Sequence, residues 1–170
     1  MYLENNEVHR YPVRAVLAWF LVVLWMAVIF LLSHQTGDQS SQISQRIAEE
    51  ILKLIKPDFS QTLLVSIESL IRNLAHGAAF FILATLTGRA FTRTNVQDIR
   101  NAILTFIVCV LYAASDELHQ AFVPGRASQW QDFLVDIAGI ILAVLIYQII
   151  TTVRFIRSEL RVKREEDLRK

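Results

Sequence analysis

The run Ser115-Asp116-Glu117-Leu118-His119-Gln120-Ala121-Phe122-Val123-Pro124-Gly125-Arg126 follows directly on an apolar stretch, Ala102–Ala114. Asp116 and His119 are three residues apart, and Asp116 and Gln120 four, so a helix carries them on one face. The same spacing of four separates Arg72 from His76 and Asp132 from Asp136. A histidine in such company can take or give a proton near neutral pH, and a neighbouring carboxylate can orient it or share the proton. An arginine fork suits a phosphate or carboxylate. The candidate catalytic residues are therefore His76, Asp116, His119 and Asp136. Arg72, Glu117, Gln120, Arg126 and Asp132, with Ser33 and Gln35, are candidates for substrate binding. Histidine plus carboxylate also suits zinc or manganese. Asp-Glu-x-His-Gln is not the His-Glu-x-x-His zinc signature, however, so no metal site is assigned and no cofactor is identified.

These residues must be positioned by elements that the composition makes plain. Of 170 residues 54% are hydrophobic, and the mean hydropathy is +0.39, which fits one membrane domain rather than a large soluble core. Four segments are apolar enough to span: Val13–Leu32, Leu74–Ala90, Ala102–Ala114 and Phe133–Val153. About twenty helical residues cross the roughly 30 Å hydrocarbon layer. The first and last reach that length, and the middle two do so with their polar ends included. The expected fold is all-α, a four-transmembrane-helix bundle whose core is about 13–153, with a tail over 154–170. The first segment has a longer apolar core than a signal peptide, and Leu32-Ser33-His34-Gln35 offers no Ala-x-Ala-like site, so it reads as a retained anchor.

Basic residues orient the bundle. With the N-terminus inside, residues 1–14, 88–101 and 154–170 hold 12 of the 17 Lys and Arg; Arg46, Lys53, Lys56, Arg72 and Arg126 fall outside. The positive-inside rule thus puts both termini in the cytoplasm. Between the first two spans, Ile43, Ile47, Ile51, Leu54 and Ile55 recur at spacings of three and four among polar residues. That pattern predicts an extracytoplasmic amphipathic helix ended by Pro57, then a second short helix, Gln61–Ile71. The first could lie flat on the membrane or cap the bundle. Arg154–Lys170 mixes both signs of charge and reads as a frayed cytoplasmic helix end, with possible contact to anionic lipid.

This topology sends polar groups from four separate regions to one face of the membrane. Ser33, His34 and Gln35 end the first span there, and Arg72 and His76 open the second. Asp116, Glu117, His119 and Gln120 close the third, while Asp132 and Asp136 open the fourth. Asp136 sits about a turn inside the hydrocarbon, where a lipid-facing charge would cost several kcal/mol, so it should face the bundle interior. Gly139 and Ala143 follow in small-xxx-small spacing, which lets a neighbouring helix come close to that same face. Each residue also has a plainer role open to it. His9 and His34 read as solvated or interfacial, and His76 as a helix-end histidine bonded to a carbonyl. Asp132 could be only the N-cap of the fourth helix. Glu117 could face water, Tyr112 and Trp130 could be belt residues, and Arg126 could decorate a turn. Cys109, alone in the third span, reads as packing.

The polar blocks carry a resemblance. Ser33-His34-Gln35-Thr36, Arg72-Asn73-Leu74-Ala75-His76, the Ser115–Arg126 run and Asp132-Phe133-Leu134-Val135-Asp136-Ile137-Ala138-Gly139 resemble the VanZ-like family of small integral membrane proteins, named for a teicoplanin-resistance accessory protein. The family's pattern at the second-span histidine usually reads Lys-x-x-His-Phe-x-Glu-Tyr. Here Asn73, Gly77, Ala79 and Phe80 stand at those positions, so no role of that glutamate or tyrosine carries over. The resemblance implies four membrane helices in the cytoplasmic (inner) membrane of a bacterial cell envelope, and a glycopeptide-resistance type of role.

Three functions compete. The first is an enzyme acting on an amphiphilic envelope substrate such as a lipid-linked intermediate, peptidoglycan precursor or drug, with His76 and His119 as acid and base. The second is a protein that binds or excludes a lipidated small molecule without chemistry. The third is a small transporter, the weakest match, since only Asp136 lies clearly within a span and no broken-helix pattern appears. The expected partners are the lipid bilayer and an amphiphilic small molecule; no nucleic-acid partner is expected.

Overall fold

The computed structural model describes residues 4–56, 58–126 and 130–169, with side chains described from Val13 onward. The described residues form five helices and no strand: α1 (Glu4–Ser33), α2 (Gly37–Ile55), α3 (Gln61–Arg93), α4 (Asp98–Gln120) and α5 (Trp130–Leu168). All but α2 are long and apolar enough to cross a membrane, and with the family match given below they make this a multi-pass membrane protein.

The four long helices bury a modest core and leave much apolar surface outward. Val22, Ile29, Phe80, Leu83, Cys109, Ala113, Ile140 and Ala143 meet in the centre, while Phe20, Val23, Leu24, Leu111 and Leu145 stay exposed. In water that surface would mark a binding patch; on spanning helices it is the face that hydrocarbon covers. Central to the bundle is α3, which packs on each of the other helices and most extensively on α5. At their crossing, Gly77 and Gly139 bring the two backbones into contact, and a Cβ on Gly139 would collide with the Gly77 carbonyl. The small-residue spacing on α5 works as expected, with a glycine supplied by the partner helix as well.

Some expectations change. Gln61–Ile71 is no separate helix but the first turns of α3, capped by Ser60, whose hydroxyl accepts from the Leu63 amide at 3.2 Å. Tyr112 is no belt residue: its hydroxyl donates to the Met26 carbonyl at 2.6 Å and ties α4 to α1. Trp130 is exposed at the start of α5, which leaves Asp132 inside the first turn rather than at the cap. The segment after Val153 continues α5 as helix to Leu168, with its side chains exposed. Cys109 is buried, with Sγ 3.8 Å from the Thr87 hydroxyl, as packing requires. His9 and Pro57 lie outside the described side chains.

The amphipathic segment forms α2, with a capping box in which Thr36 accepts from the Gln39 amide and Gln39 accepts from the Thr36 amide. Its orientation is the surprise. Ser44, Ala48 and Leu52 are the buried face, with Ala48 and Leu52 packed against Leu64 on the first turns of α3. The stripe Ile43, Ile47, Ile51, Leu54 and Ile55 lies off that buried face and is exposed, with Ile43 also bordering a cavity between α2 and the bundle. Small residues make the close contact, and the bulky isoleucines are left for another apolar surface.

Candidate functional site

Between α2 and the bundle lies a cavity of about 180 Å³. Its walls are apolar over most of their extent, from Ile29, Leu32, Ile43, Ala79 and Phe80, and polar where Ser33, Gln35, Arg72, His76 and Arg126 enter. The polar groups arrive from three parts of the chain. Ser33 is the last residue of α1, Arg72 and His76 stand one turn apart on α3, and Arg126 comes from the α4–α5 connection.

That connection is held in place. The Gly37 amide, at the start of α2, donates to the Pro124 carbonyl at 3.3 Å. A Cβ at Gly37 would strike the Gly125 carbonyl, so only glycine lets the strap approach. Gly125 itself has φ of 72°, a left-handed conformation that glycine adopts without cost. The Arg126 Nη2 then donates to the Leu32 carbonyl at 3.4 Å, which turns the guanidinium inward rather than leaving it on the turn. Burial disfavours its charge and pushes its pKa below the usual arginine value; Asp116 pulls it back up, and Arg72, a like charge, pushes it down again.

Two buried carboxylates stand one side chain behind the wall. Ser33 Oγ donates to Asp116 Oδ2 at 2.8 Å, and Gln120 Nε2 donates to the same oxygen at 2.9 Å. Asp116 Oδ1 is buried without a hydrogen-bond partner among the described residues. On the other side, His76 Nδ1 lies 3.6 Å from Asp136 Oδ1, just longer than a hydrogen bond. Asp136 is 0% exposed, and neither of its oxygens has a hydrogen-bond partner among the described residues. The Gly77–Gly139 contact sets this pairing, because His76 and Asp136 flank it on the two helices. The Arg72 Nε is also buried and without a hydrogen bond.

His119 lies elsewhere. Its Nε2 is 3.3 Å from His34 Nδ1, and the two rings stack with centroids 5.4 Å apart. Phe30 packs on His119 at 4.6 Å, making a ring cluster on the α1–α4 seam outside the cavity wall. His34, read from the sequence as solvated or interfacial, is exposed and is also the partner of a candidate residue. The signal was its place in the Ser33–Thr36 block. Glu117, which could have faced water, is buried. Asp132 is half-buried and within electrostatic reach of His76, Arg126 and Asp136. Ser40 and Ser44 of α2 join the cavity lining, a contribution that their neighbours in sequence did not signal.

The arrangement joins anion-binding groups to an apolar space, with a histidine on the wall and a carboxylate behind it. Arginine forks can hold a phosphate or carboxylate bidentately. His76, backed by Asp136, can hold or pass a proton at its ring nitrogens. Among the described residues no group of three or more metal-ligating side chains is gathered.

Comparison with known proteins found no match among curated proteins and none among solved structures. A family model does match, over residues 18–151, a span that takes in α2, α3 and α4 whole, the parts of α1 and α5 beside them, and every wall residue of the cavity. That coverage settles the relationship: the chain belongs to the VanZ/LLP1 family.

Proposed function

We propose that this is a bacterial cell-envelope protein of the glycopeptide-resistance type, which binds the anionic head group of an amphiphile in the cavity beneath α2. The observation that carries this reading is the entry of Arg72 and Arg126 into one largely apolar cavity. Two cations beside each other repel, and burial raises that cost, so the pair favours a doubly hydrogen-bonding anion between them. Ile29, Leu32 and Phe80 suit the hydrocarbon of the same ligand. The distribution of Lys and Arg supports an extracytoplasmic α2 end with both termini inside, in the cytoplasmic membrane. The exposed isoleucine stripe of α2 fits the surface of the outer leaflet.

The test is binding of a polyprenyl phosphate to purified protein in detergent, with the matching polyprenol as control. The phosphate should bind at least about tenfold more tightly than the alcohol, and Arg72→Gln or Arg126→Gln should each remove most of that difference. Equal binding of phosphate and alcohol would overturn the reading.

A second reading is favoured by one contact, His76 against Asp136. In it the bound amphiphile is also a substrate, with His76 as general acid or base and Asp136 as the residue that orients it. His76→Gln should then keep ligand binding and lose biological activity. Parallel loss of both would leave recognition as the whole function.

A further inference from the structure

We propose that a groove between α1 and α3, at the end of the bundle away from α2, is a binding site for an anionic phospholipid. Its phosphate is held by Arg14, Arg89 and Arg93, and one acyl chain lies along Leu17, Leu21 and Leu86.

The groove, about 290 Å³, is lined by these six residues and Ala18. Three cations from two helices therefore share one concave surface, and no acid lines it. None of the three makes a salt bridge among the described residues, where the ion pairs are Lys53–Glu50 and His76–Asp136. Three like charges gathered with no acid among the described lining residues attract one from outside the chain. Depth says where it comes from. Arg14 stands at the start of the apolar window that opens at Val13, and Arg93 ends α3, so the guanidinium groups sit at head-group level. Directly beyond them the groove floor is leucine and alanine, which suits an acyl chain.

The groove is also a fixed feature. Trp19 and Phe91 meet edge to face with centroids 5.0 Å apart and lock α1 onto α3 beside it. The basic stretch after Val153 differs on both counts: Arg154, Arg157, Arg161 and Arg164 are interleaved with Glu159, Glu165 and Glu166, and all are exposed on a single helix. A general attraction to anionic membrane would act on both regions, whereas a built site acts only on the groove.

The experiment titrates purified full-length protein in zwitterionic detergent with dioleoylphosphatidylglycerol, dioleoylphosphatidylcholine or sodium phosphate, counting bound lipid by native mass spectrometry. The phosphatidylglycerol should be retained in preference to the phosphatidylcholine, and millimolar phosphate should not displace it. Arg14→Gln, Arg89→Gln and Arg93→Gln should each weaken retention roughly fivefold. These effects should be as large in protein that already carries Arg72→Gln, which separates this site from the α2 cavity, and the pair Arg154→Gln with Arg157→Gln should leave retention unchanged, which separates it from the tail. Equal retention of the two lipids would overturn the proposal, and that comparison needs no variant to fold. Displacement by free phosphate would overturn it in favour of a small-anion site, and loss in the tail pair would overturn it in favour of diffuse attraction.

Discussion

The two ends of the bundle handle buried polar groups in opposite ways. At the end away from α2, Asn101 is fully engaged. Its Nδ2 donates to the Gly88 carbonyl at 2.9 Å and lies within hydrogen-bond reach of Thr92 Oγ1 and the Val96 carbonyl, while its Oδ1 accepts from Thr105 at 3.1 Å. Thr92 continues to the Tyr147 hydroxyl at 2.8 Å, so one network ties α3, α4 and α5. At the α2 end, by contrast, both Asp136 oxygens, one Asp116 oxygen and the Arg72 Nε are buried without hydrogen bonds among the described residues. A satisfied network holds helices together in hydrocarbon. Unsatisfied groups cost stability and persist where a ligand or proton completes them. The far end is thus built to stay closed, and the α2 end to receive something.

Four substitutions break or sharpen that contrast. The largest effect is expected for Gly139→Val, which forces α3 and α5 apart at Gly77 and separates His76 from Asp136. It should cost about 3 kcal/mol or more and lower the folded yield, as measured by size-exclusion chromatography in detergent. Next comes Asn101→Ala, which removes the bonds to the Gly88 and Val96 carbonyls and takes the acceptor from the buried Thr105 hydroxyl; thermal unfolding should show a loss of about 2–3 kcal/mol with ligand affinity kept. Asp136→Asn should do the reverse. Asparagine keeps the shape of the side chain, and His76 can shed its proton once the carboxylate is gone, so stability should change by less than about 1 kcal/mol, while biological activity falls. If Asp136→Asn destabilises as much as Asn101→Ala, the difference between the two ends disappears. The smallest effect is expected for His34→Ala, which loses exposed ring stacking and the exposed contact with the His119 ring nitrogen, about 0.5–1 kcal/mol. Activity should survive it, and a loss equal to that of His76→Gln would move the centre of function to the α1–α4 seam.

Much of this was legible in the chain because membrane helices leave strong signals. Long apolar runs marked the four spans, and a spacing of four placed Arg72 with His76 and Asp132 with Asp136. Asp136 had to face inward on energetic grounds alone, and Gly139 with Ala143 marked the face that a partner helix approaches. Rotation and pairing were less legible. Periodicity showed that α2 has an apolar stripe but not which side meets the bundle, because Ser44 and Ala48 pack by smallness rather than by hydropathy. Likewise His119 shares a helix face with Asp116 in sequence, yet Ser33 at the end of α1 meets one and His34, just past it, meets the other. The inward turn of Arg126 depends on Gly37 and Gly125 meeting across the fold, a contact of distant residues that local spacing does not encode.

The most direct measurement is a structure of the protein with polyprenyl phosphate bound. The phosphate should lie within hydrogen-bond distance of both Arg72 and Arg126, with the chain running past Ile29, Leu32 and Phe80 beneath α2. A phosphate seated against His34 and His119, or among Arg14, Arg89 and Arg93 with the α2 cavity unfilled, would contradict the account.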